Sequence, residues 1–316
     1  MLGVDPRIGT VLHDRYRILE RMGEGAMGEV YRAERLKLGR PVAIKFLRGA
    51  YASSQEGKRL FQVEALASSR LAHPNCVPVT DFGVEGQEPY LVMDLVQGQP
   101  LDQALRAELR FSPERAVAVT RQVLAGLAHS HGQGVIHRDV KPENIILTRA
   151  EGHGEQPRLL DFGLGKLRGE ESVLSGVAPG TPSYMSPELT TGVTVDERAD
   201  IYAVGIILFE LLTGQKPFYS PVLADIVNMH RHAPPPAIRQ VAPEIDPSAA
   251  LEAALQRALA KDRDLRFSAA TEFIQALEAT PEGSGTSNSR WKHPLMFVAL
   301  ALVLIAVAVG VTLLVS

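Results

Sequence analysis

The hydrophobic pattern of this chain changes its period once, at the Gly-Gln-Pro sequence of residues 98–100. Before this point, residues 16–47 and 90–95 contain short apolar runs separated by turn residues, which is typical of strands. Residues 55–71 between them carry apolar side chains near helical spacing. After residue 100 the apolar side chains recur with the period of a helix. The sequence therefore predicts an α+β protein with a small antiparallel β lobe that contains one helix, followed by a larger helical lobe.

Individual helices can be located by their apolar faces and their caps. Ser112 followed by Pro113 is a favourable N-cap and first-turn pair. Residues 200–212 are nearly all apolar, as expected of a helix that is buried on all sides. In the helix of the small lobe, the apolar face is expected to comprise Leu60, Val63, Leu66, Ala67 and Leu71.

Composition excludes two kinds of partner. The 316 residues have a formal net charge of −3, so the chain lacks the positive excess that binds polyanions, and nucleic acid is not expected as a partner. A single cysteine, Cys76, excludes an intramolecular disulfide framework and a cysteine-based metal cluster.

The last part of the chain has the composition of a membrane span. Residues 295–316 contain no charged side chain and are long enough to cross about 30 Å of hydrocarbon at about 1.5 Å per residue. The basic and aromatic sequence Arg-Trp-Lys-His precedes them at 290–293, which indicates that the preceding part is cytoplasmic. We expect a flexible linker over 280–293 and one transmembrane helix over 294–316, in the inner cell membrane; a buried soluble helix is the alternative.

One short segment contains three side chains suited to moving a phosphate. Residues 135–144 read Val-Ile-His-Arg-Asp-Val-Lys-Pro-Glu-Asn and include Asp139, Lys141 and Asn144. A carboxylate can orient and deprotonate an alcohol, an ammonium can neutralise a phosphoryl group, and an amide oxygen suits Mg²⁺. The segment predicts phosphoryl transfer.

A glycine-rich sequence, Gly-Glu-Gly-Ala-Met-Gly, occupies residues 23–28 between two strand-like runs. Glycines allow backbone amides to approach phosphates without obstruction by a Cβ atom. In the alternative, dinucleotide-binding pattern, such glycines open a helix. Here Val30 and Tyr31 favour a second strand after the glycines, which disfavours the dinucleotide-binding alternative. A tight hairpin without a ligand has the same glycine pattern and remains open at this point.

Taken in order, these sequences resemble the protein kinase family. The same family has a strand-borne lysine motif like Val-Ala-Ile-Lys at 42–45 and an activation-segment end like Gly-Thr-Pro-Ser-Tyr-Met-Ser-Pro-Glu at 180–188. The amino-acid sequence of residues 25–31 is most similar to that of bacterial serine/threonine kinases of the eukaryotic-like class. Members of this class are commonly anchored in the membrane by a single transmembrane helix. The resemblance covers residues 16–279.

The resemblance implies the bilobal protein-kinase fold. Its small lobe would comprise residues 16–97 and its larger lobe residues 98–279, after an N-terminal extension over 1–15. It also implies transfer of the γ-phosphoryl group of ATP to Ser or Thr hydroxyls of protein substrates, with Mg²⁺ as the metal and Mn²⁺ as an alternative.

Catalytic roles follow from the resemblance, position by position. Asp139 would orient the hydroxyl and accept its proton, and Lys141 would stabilise charge on the phosphoryl group. Lys45 would hold the α- and β-phosphates against Glu64, with Glu56 as the less favoured partner. Thr181 would contact the catalytic Asp and Lys. Asn144 and Asp161 would bind the metal.

The nucleotide site also follows from the resemblance. The adenine would lie between Val30 and Ala43 above and Ile146 below, with Met93 at the back and hydrogen bonds to the backbone near residues 94–96. The predicted nucleotide-binding residues are Met22, Gly23, Glu24, Gly25, Ala26, Met27, Gly28, Glu29, Val30, Ala43, Lys45, Met93, Asp94, Val96 and Ile146.

Two Asp-Phe-Gly triplets compete for the metal-binding role. Asp161 follows the 135–144 segment and a predicted strand over 157–160, which is the order that the resemblance requires. Asp81 precedes that segment, so we interpret it as a turn residue. Further along, the resemblance pairs Glu188 with Arg266 and has Asp200 anchor the backbone of the catalytic loop.

Regulation can be predicted in outline. Arg138 precedes the catalytic Asp, where an arginine can receive a phosphate from the activation segment. We expect autophosphorylation at Ser172 or Ser175, with Ser175 favoured. Concentration on a membrane surface favours encounter between two copies, so we expect homodimers that activate in trans.

Two alternative functions fit the sequence less well. A kinase-like membrane scaffold with little activity would have lost one of the catalytic positions, and none is lost. A kinase of small molecules is disfavoured by Thr181 and by the Ser-Pro-Glu end of the activation segment.

Overall fold

The computed structural model describes residues 5–25, 28–48, 55–150, 154–162, 182–191 and 193–284. The small lobe contains β1 (Val11–Leu12), β2 (Tyr16–Gly25), β3 (Gly28–Arg35), β4 (Arg40–Leu47), α1 (Gln55–Ser68), β5 (Val79–Glu85) and β6 (Glu88–Asp94). The larger lobe contains β7 (Gln99–Pro100), α2 (Leu101–Glu108), α3 (Pro113–Gly132), β8 (Ile145–Ala150), β9 (Gly154–Leu159), α4 (Arg198–Thr213), α5 (Leu223–His232), α6 (Ile238–Val241), α7 (Ala249–Ala258), α8 (Ala270–Glu278) and α9 (Pro281–Ser284).

The small lobe is one antiparallel sheet of six strands in the order β1-β2-β3-β4-β6-β5. Alternation along the strands gives the sheet two apolar faces. One face contains Tyr16, Tyr31 and Phe46, and the other packs Ala43 and Met93 together with the inner side of α1. The predicted antiparallel lobe with one helix is confirmed.

The buried side of α1 differs from the predicted one. Phe61 and Ala65 face the sheet, whereas Val63 and Leu66 are 58% and 50% exposed. Both sets of residues have helical spacing, so periodicity alone did not distinguish them. The sheet selects the face that carries Phe61 because its aromatic ring packs edge-on against Phe82 of β5.

The larger lobe is built around α4, whose residues are almost all buried. The predicted Ser112 cap is present, since its side chain accepts a hydrogen bond from the Arg115 backbone N–H at the start of α3. A three-stranded sheet, β7-β8-β9, lies beside these helices and carries the loop that precedes β8. The bilobal fold with a helical second lobe is confirmed.

The folded larger lobe continues through α9, beyond the predicted start of the linker at residue 280. Glu282 is buried, and its two carboxylate oxygens accept hydrogen bonds from the backbone N–H and hydroxyl of Ser248, each at 2.8 Å. The first residues of the predicted linker are therefore helical and are held by Ser248, the N-cap residue of α7, instead of forming a flexible coil.

Among the described residues, none of the helices has both the length and the apolar character needed to cross a membrane. The span predicted over 294–316, together with the rest of the linker, lies outside the part of the chain that the structure describes.

Candidate active site

The segment between α3 and β8 brings Asp139, Lys141 and Asn144 together. The Lys141 ammonium lies 2.9 and 3.1 Å from the two carboxylate oxygens of Asp139. The Asn144 side-chain amide donates to the Asp139 carbonyl at 2.8 Å and to its carboxylate at 3.1 Å. Charge and hydrogen bonds thus hold the Asp139 carboxylate in one orientation, which a group that accepts a proton from a positioned alcohol requires.

The backbone of this loop is strained and is held in place by Asp200 of α4. Arg138 has a φ of 64°, a left-handed conformation that is costly for a residue with a Cβ atom. The Asp200 carboxylate accepts hydrogen bonds from the backbone N–H groups of His137 and Arg138, each at 2.8 Å. His131 Nε2 contacts the same carboxylate at 2.8 Å. The predicted anchoring role of Asp200 agrees with this geometry.

The ionisation of Asp200 follows from these contacts. Burial raises the pKa of its carboxyl. The hydrogen bond with His131, the charge of His131 and His137 and the backbone donors lower the pKa by more than burial raises it, so that it lies below its ordinary value. Asp200 is therefore ionised when it holds the loop.

Asp161 follows β9 and lies beside the same loop. The Leu160 N–H donates to the Asn144 carbonyl at 2.9 Å, and His137 Nε2 contacts the Leu160 carbonyl at 2.8 Å. Asp161 itself has a φ of 62°, a second left-handed non-glycine residue. Phe162 is buried against the His137 ring, with the ring centres 4.9 Å apart. Each of the two segments that form the site thus contains a non-glycine residue with a left-handed backbone, Arg138 in one and Asp161 in the other.

Lys45 of β4 is paired with Asp161. Its ammonium lies 2.6 Å from Asp161 Oδ2, and the expected contact of Lys45 with Glu64 stays a prediction. Glu64 is buried on the inner side of α1, and the Ser68 hydroxyl one turn later donates to the Phe162 carbonyl at 3.0 Å. The helix is thus connected to the segment after Asp161.

The pKa of Asp161 reflects this pairing. Burial raises the pKa of the carboxyl, and the charge and hydrogen bond of Lys45 outweigh that effect, so that the pKa lies below its ordinary value.

The glycines of the 23–28 sequence differ in the space around them. Gly28 has a φ of 148°, and a Cβ atom there would lie 1.7 Å from the Phe46 carbonyl oxygen, so the sheet itself requires glycine. At Gly23 and Gly25 a Cβ atom would have nothing within 4 Å. These two positions leave room for a ligand next to the backbone. Ala26 and Met27 lie outside the described residues.

The predicted adenine site brings several apolar side chains together. Ala43 and Met93 are paired across β4 and β6 and belong to one cluster, against which Val30 and Val96 pack. Ile146 lies on β8 in the other lobe. A Cβ atom at Gly98 would lie 2.7 Å from Ile146 and 2.4 Å from the Leu147 carbonyl oxygen.

Gly98 therefore lets the connection between the lobes approach β8 closely. Sequence reasoning treated this glycine only as a break in the pattern and missed that role.

Four other predicted nucleotide-binding residues do not face this cluster. Met22 is 53% exposed and Asp94 is exposed, and Glu24 forms ion pairs with Arg21 and Arg48 on the surface. Glu29 precedes Val30 on the same strand, so its side chain lies on the opposite face of the sheet. For these residues, contact with a nucleotide would have to be made by the backbone.

The oxygen donors at Asn144 and Asp161 fit a magnesium ion. The Asn144 amide nitrogen donates to Asp139, which leaves its carbonyl oxygen as an acceptor, and the Asp161 carboxylate is ionised. In the described part of the chain no group of three or more His, Cys, Asp or Glu side chains could hold a metal. Mg²⁺ commonly uses one or two protein oxygens and completes its shell with water and substrate phosphates, so this donor set fits.

The first Asp-Phe-Gly triplet serves the small lobe and not the site. Asp81 lies in β5 beside a register shift. Its carboxylate accepts a hydrogen bond from the Tyr16 hydroxyl at 2.6 Å and forms an ion pair with Arg15 at 2.7 Å. It is a strand residue and not the turn residue that we expected. The predicted Glu188–Arg266 pair is confirmed, with contacts of 2.7 and 2.9 Å between buried side chains. Thr181, Ser172 and Ser175 lie outside the described residues.

The chain is similar to known protein kinases. Residues 16–277 match the protein kinase domain. The serine/threonine-protein kinase pkn3 of Myxococcus xanthus is 39% identical over 281 residues, which cover 87% of this chain and 51% of the relative. The serine/threonine-protein kinase PrkC of Bacillus subtilis is 36% identical over 285 residues, which cover 90% of this chain and 43% of the relative.

A solved structure shows the same fold. The kinase domain of PknI from Mycobacterium tuberculosis superimposes with a TM-score of 0.68 at 30% sequence identity, covering 85% of this chain and 97% of that one. The two lobes and the Asp139 loop thus define the protein kinase class. This chain belongs to the protein kinase family, and it spans about half the length of the curated relatives that it matches.

Proposed function

We propose that this chain is an ATP-dependent serine/threonine protein kinase. The printed names of its relatives are those of serine/threonine kinases, and Lys141 in the position two residues after Asp139 is the serine/threonine version of the loop. The observation that carries the proposal is the Asp139 carboxylate, oriented by Lys141 and Asn144 and located beside Asp161.

The proposed reaction assigns a role to each side chain. The hydroxyl oxygen of a protein Ser or Thr forms a bond to the γ-phosphorus of ATP, the bond from that phosphorus to the β,γ-bridging oxygen breaks, and ADP leaves. Asp139 takes the hydroxyl proton and Lys141 stabilises the equatorial oxygens. Asn144 and Asp161 would hold Mg²⁺, which neutralises phosphate charge when bound. The Lys45 ammonium would leave Asp161 and contact the α- and β-phosphates when ATP binds.

Transfer of labelled phosphate from ATP to a generic protein substrate tests this proposal. We expect Asp139→Asn to lower kcat by about 10²–10⁴-fold, the range of a lost general base, with nucleotide affinity nearly unchanged. The matched control is Asp14→Asn, an exposed residue in the small lobe, which should behave as wild type. A variant Asp139→Asn with more than about a tenth of the wild-type rate would contradict the assignment, and a folded, inactive wild type that binds ATP would favour the scaffold alternative.

We also propose that activity is regulated by phosphorylation of Ser172 or Ser175. The position of Arg138 in the loop supports this proposal. Its Nε atom has no hydrogen-bond partner within the described residues, so its guanidinium could bind a phosphate. Phosphopeptide mapping of active enzyme should find one of these serines occupied, and Ser175→Ala should lower activity. Both sites empty in a fully active enzyme would remove the proposal.

We further propose that residues 294–316 tether the kinase to the cytoplasmic face of the inner membrane and promote trans-activation between two copies. The uncharged composition of the segment supports this. The full chain should remain in membranes after carbonate extraction, whereas a chain that ends at residue 284 should be released. In liposomes, autophosphorylation that did not change with surface density would argue against activation in trans.

A further inference from the structure

Residues 5–12 precede the region that matches the kinase domain, yet they pack on the outer face of the small lobe. Residues 11 and 12 form β1, the edge strand of the sheet. Upstream of it, Asp5 accepts a hydrogen bond from the Tyr31 hydroxyl at 2.7 Å. The Arg7 guanidinium lies over the Phe46 ring at 4.7 Å. This segment is part of the folded lobe.

Arg7 connects this segment to two strands at once. One guanidinium nitrogen bonds Glu29 of β3, and another lies 2.5 Å from Glu88 of β6. The Arg7 side chain is 24% exposed. A planar guanidinium that serves two carboxylates over an aromatic ring has a defined position, which an ammonium could not reproduce.

Glu29 is the carboxylate that matters for the nucleotide loop. It directly follows Gly28, whose backbone is confined by the Phe46 carbonyl, and its side chain is only 7% exposed. A carboxylate that is this buried needs compensating charge. Its other partners are Arg21 at 2.9 Å and Arg48 at 2.8 Å, and both of these arginines are more exposed than Arg7.

Arg21 and Arg48 also bind Glu24, which is inside the glycine-rich sequence. The ion pairs therefore form a continuous chain from Arg7 through Glu29 to the two arginines and on to Glu24. Of the three arginines, Arg7 is the least exposed, and it is also held by Glu88 and by the Phe46 ring on the sheet face.

We propose that Arg7 is a positioning residue for the nucleotide: through Glu29 it holds the start of β3, and with it the glycine-rich sequence, in the position that binds the ATP phosphates. This inference rests on the proposed function. Loss of Arg7 would leave Glu29 with two more exposed arginines, Arg21 and Arg48, both of which it shares with Glu24. Nucleotide binding would weaken, while the Asp139 loop in the other lobe would be unaffected.

The test measures ATP affinity by calorimetry, KM for ATP, kcat and the thermal unfolding midpoint of the full chain. Arg7→Gln should weaken ATP binding and raise KM by about tenfold, as for the loss of a charge-assisted contact, and leave kcat at saturating ATP within about twofold. Arg7→Lys, which keeps the charge but not the two-carboxylate fork, should lose about threefold.

The matched control is Arg32→Gln. Arg32 lies on β3, as Glu29 does, and the change removes its exposed ion pair with Glu20, so ATP affinity should stay unchanged. The Glu29→Gln change should weaken binding as Arg7→Gln does, and the double variant should be no weaker than either single one. That non-additivity separates positioning through Glu29 from a general loss of stability.

Each outcome bears on a different claim. A folded Arg7→Gln with wild-type ATP affinity overturns this inference and leaves the proposed function standing. If Arg7→Gln does not fold, unchanged affinity in Arg7→Lys overturns it instead. Additive effects of Arg7→Gln and Glu29→Gln overturn the route through Glu29. A wild-type chain that bound no ATP would overturn the proposed function and this inference with it.

Discussion

The Lys45 ammonium and the Asp161 carboxylate form an ion pair of 2.6 Å that joins the two lobes across the cleft. The residues are far apart in the chain, one on β4 and the other after β9. Each is assigned to a different part of a magnesium–nucleotide complex, so binding of that complex requires both side chains to exchange partners. The cleft is therefore held together by the groups that the nucleotide would engage.

We predict that Lys45→Met changes the pH dependence of nucleotide binding as well as its strength. Without the Lys45 charge, burial would dominate and raise the pKa of Asp161. A carboxylate with a lowered pKa stays ionised as the pH falls, whereas one with a raised pKa is protonated at higher pH. Binding of magnesium–ATP by Lys45→Met should be lost at a higher pH than in wild type, in titrations from pH 7.5 to about 4.5.

The matched control for this prediction is Lys37→Met, which removes an exposed lysine from the small lobe. Its binding profile should match that of wild type. Coincident profiles for Lys45→Met and wild type would show that Lys45 does not set the ionisation of Asp161.

Two glycines in the same loop should respond differently to alanine. Gly28→Ala places a Cβ atom 1.7 Å from the Phe46 carbonyl oxygen at a φ of 148°, so we expect destabilisation of about 2 kcal/mol or more. Gly25→Ala meets no atom within 4 Å, so its stability should change by less than about 1 kcal/mol. KM for ATP should nevertheless rise by about fivefold in Gly25→Ala, because the new methyl group would obstruct the phosphates.

Urea unfolding and steady-state kinetics would measure these two effects. An unchanged KM in Gly25→Ala would argue that the phosphates do not approach this backbone position.

The Glu188–Arg266 pair should be a large contributor to stability. Both side chains are almost fully buried, and Arg266 also donates to the carbonyls of Ala260 at 2.7 Å and Lys261 at 3.1 Å. Glu188→Ala leaves an uncompensated buried charge, for which we expect a loss of about 3–5 kcal/mol in the free energy of unfolding. Glu244→Ala, which removes an exposed pair with Arg110, is the control and should cost less than about 1 kcal/mol. Equal losses in the two variants would contradict this prediction.

His230 of α5 should make the larger lobe sensitive to acid. It is fully buried beside Tyr202, Phe218 and Lys261. Burial, with the Lys261 charge, lowers the pKa of His230 to about 3. The unfolded chain therefore binds a proton more readily than the folded one. The stabilisation from keeping His230 neutral is complete above about pH 6.5 and falls by about 1.4 kcal/mol per pH unit below it, down to the folded pKa.

The difference in unfolding free energy between wild type and His230→Asn isolates this contribution from other titrating groups. We expect the difference to shrink by about 2 kcal/mol between pH 6.5 and 5, to the disadvantage of wild type. His232→Asn, at an exposed position two residues later, should show no such change. A difference that did not depend on pH would show that His230 is accessible to protons in the folded state.

The two-lobed fold and the residues of the catalytic loop could be predicted from the amino-acid sequence. The change of period at residues 98–100 separates the lobes because strands and helices bury apolar side chains at different spacings. Asp139, Lys141 and Asn144 lie within one short segment, so their proximity follows from local chain geometry.

The contacts between groups that are distant in the chain depend on tertiary packing. Both apolar faces of α1 have helical spacing, and the sheet selects the one with Phe61. The pairing of Lys45 with Asp161 depends on how β4 lies relative to the end of β9, and no local pattern indicates that Arg7 reaches Glu29 and Glu88. These contacts join residues whose separation is set by the packing of whole elements, and for this reason they could not be predicted from periodicity or motifs.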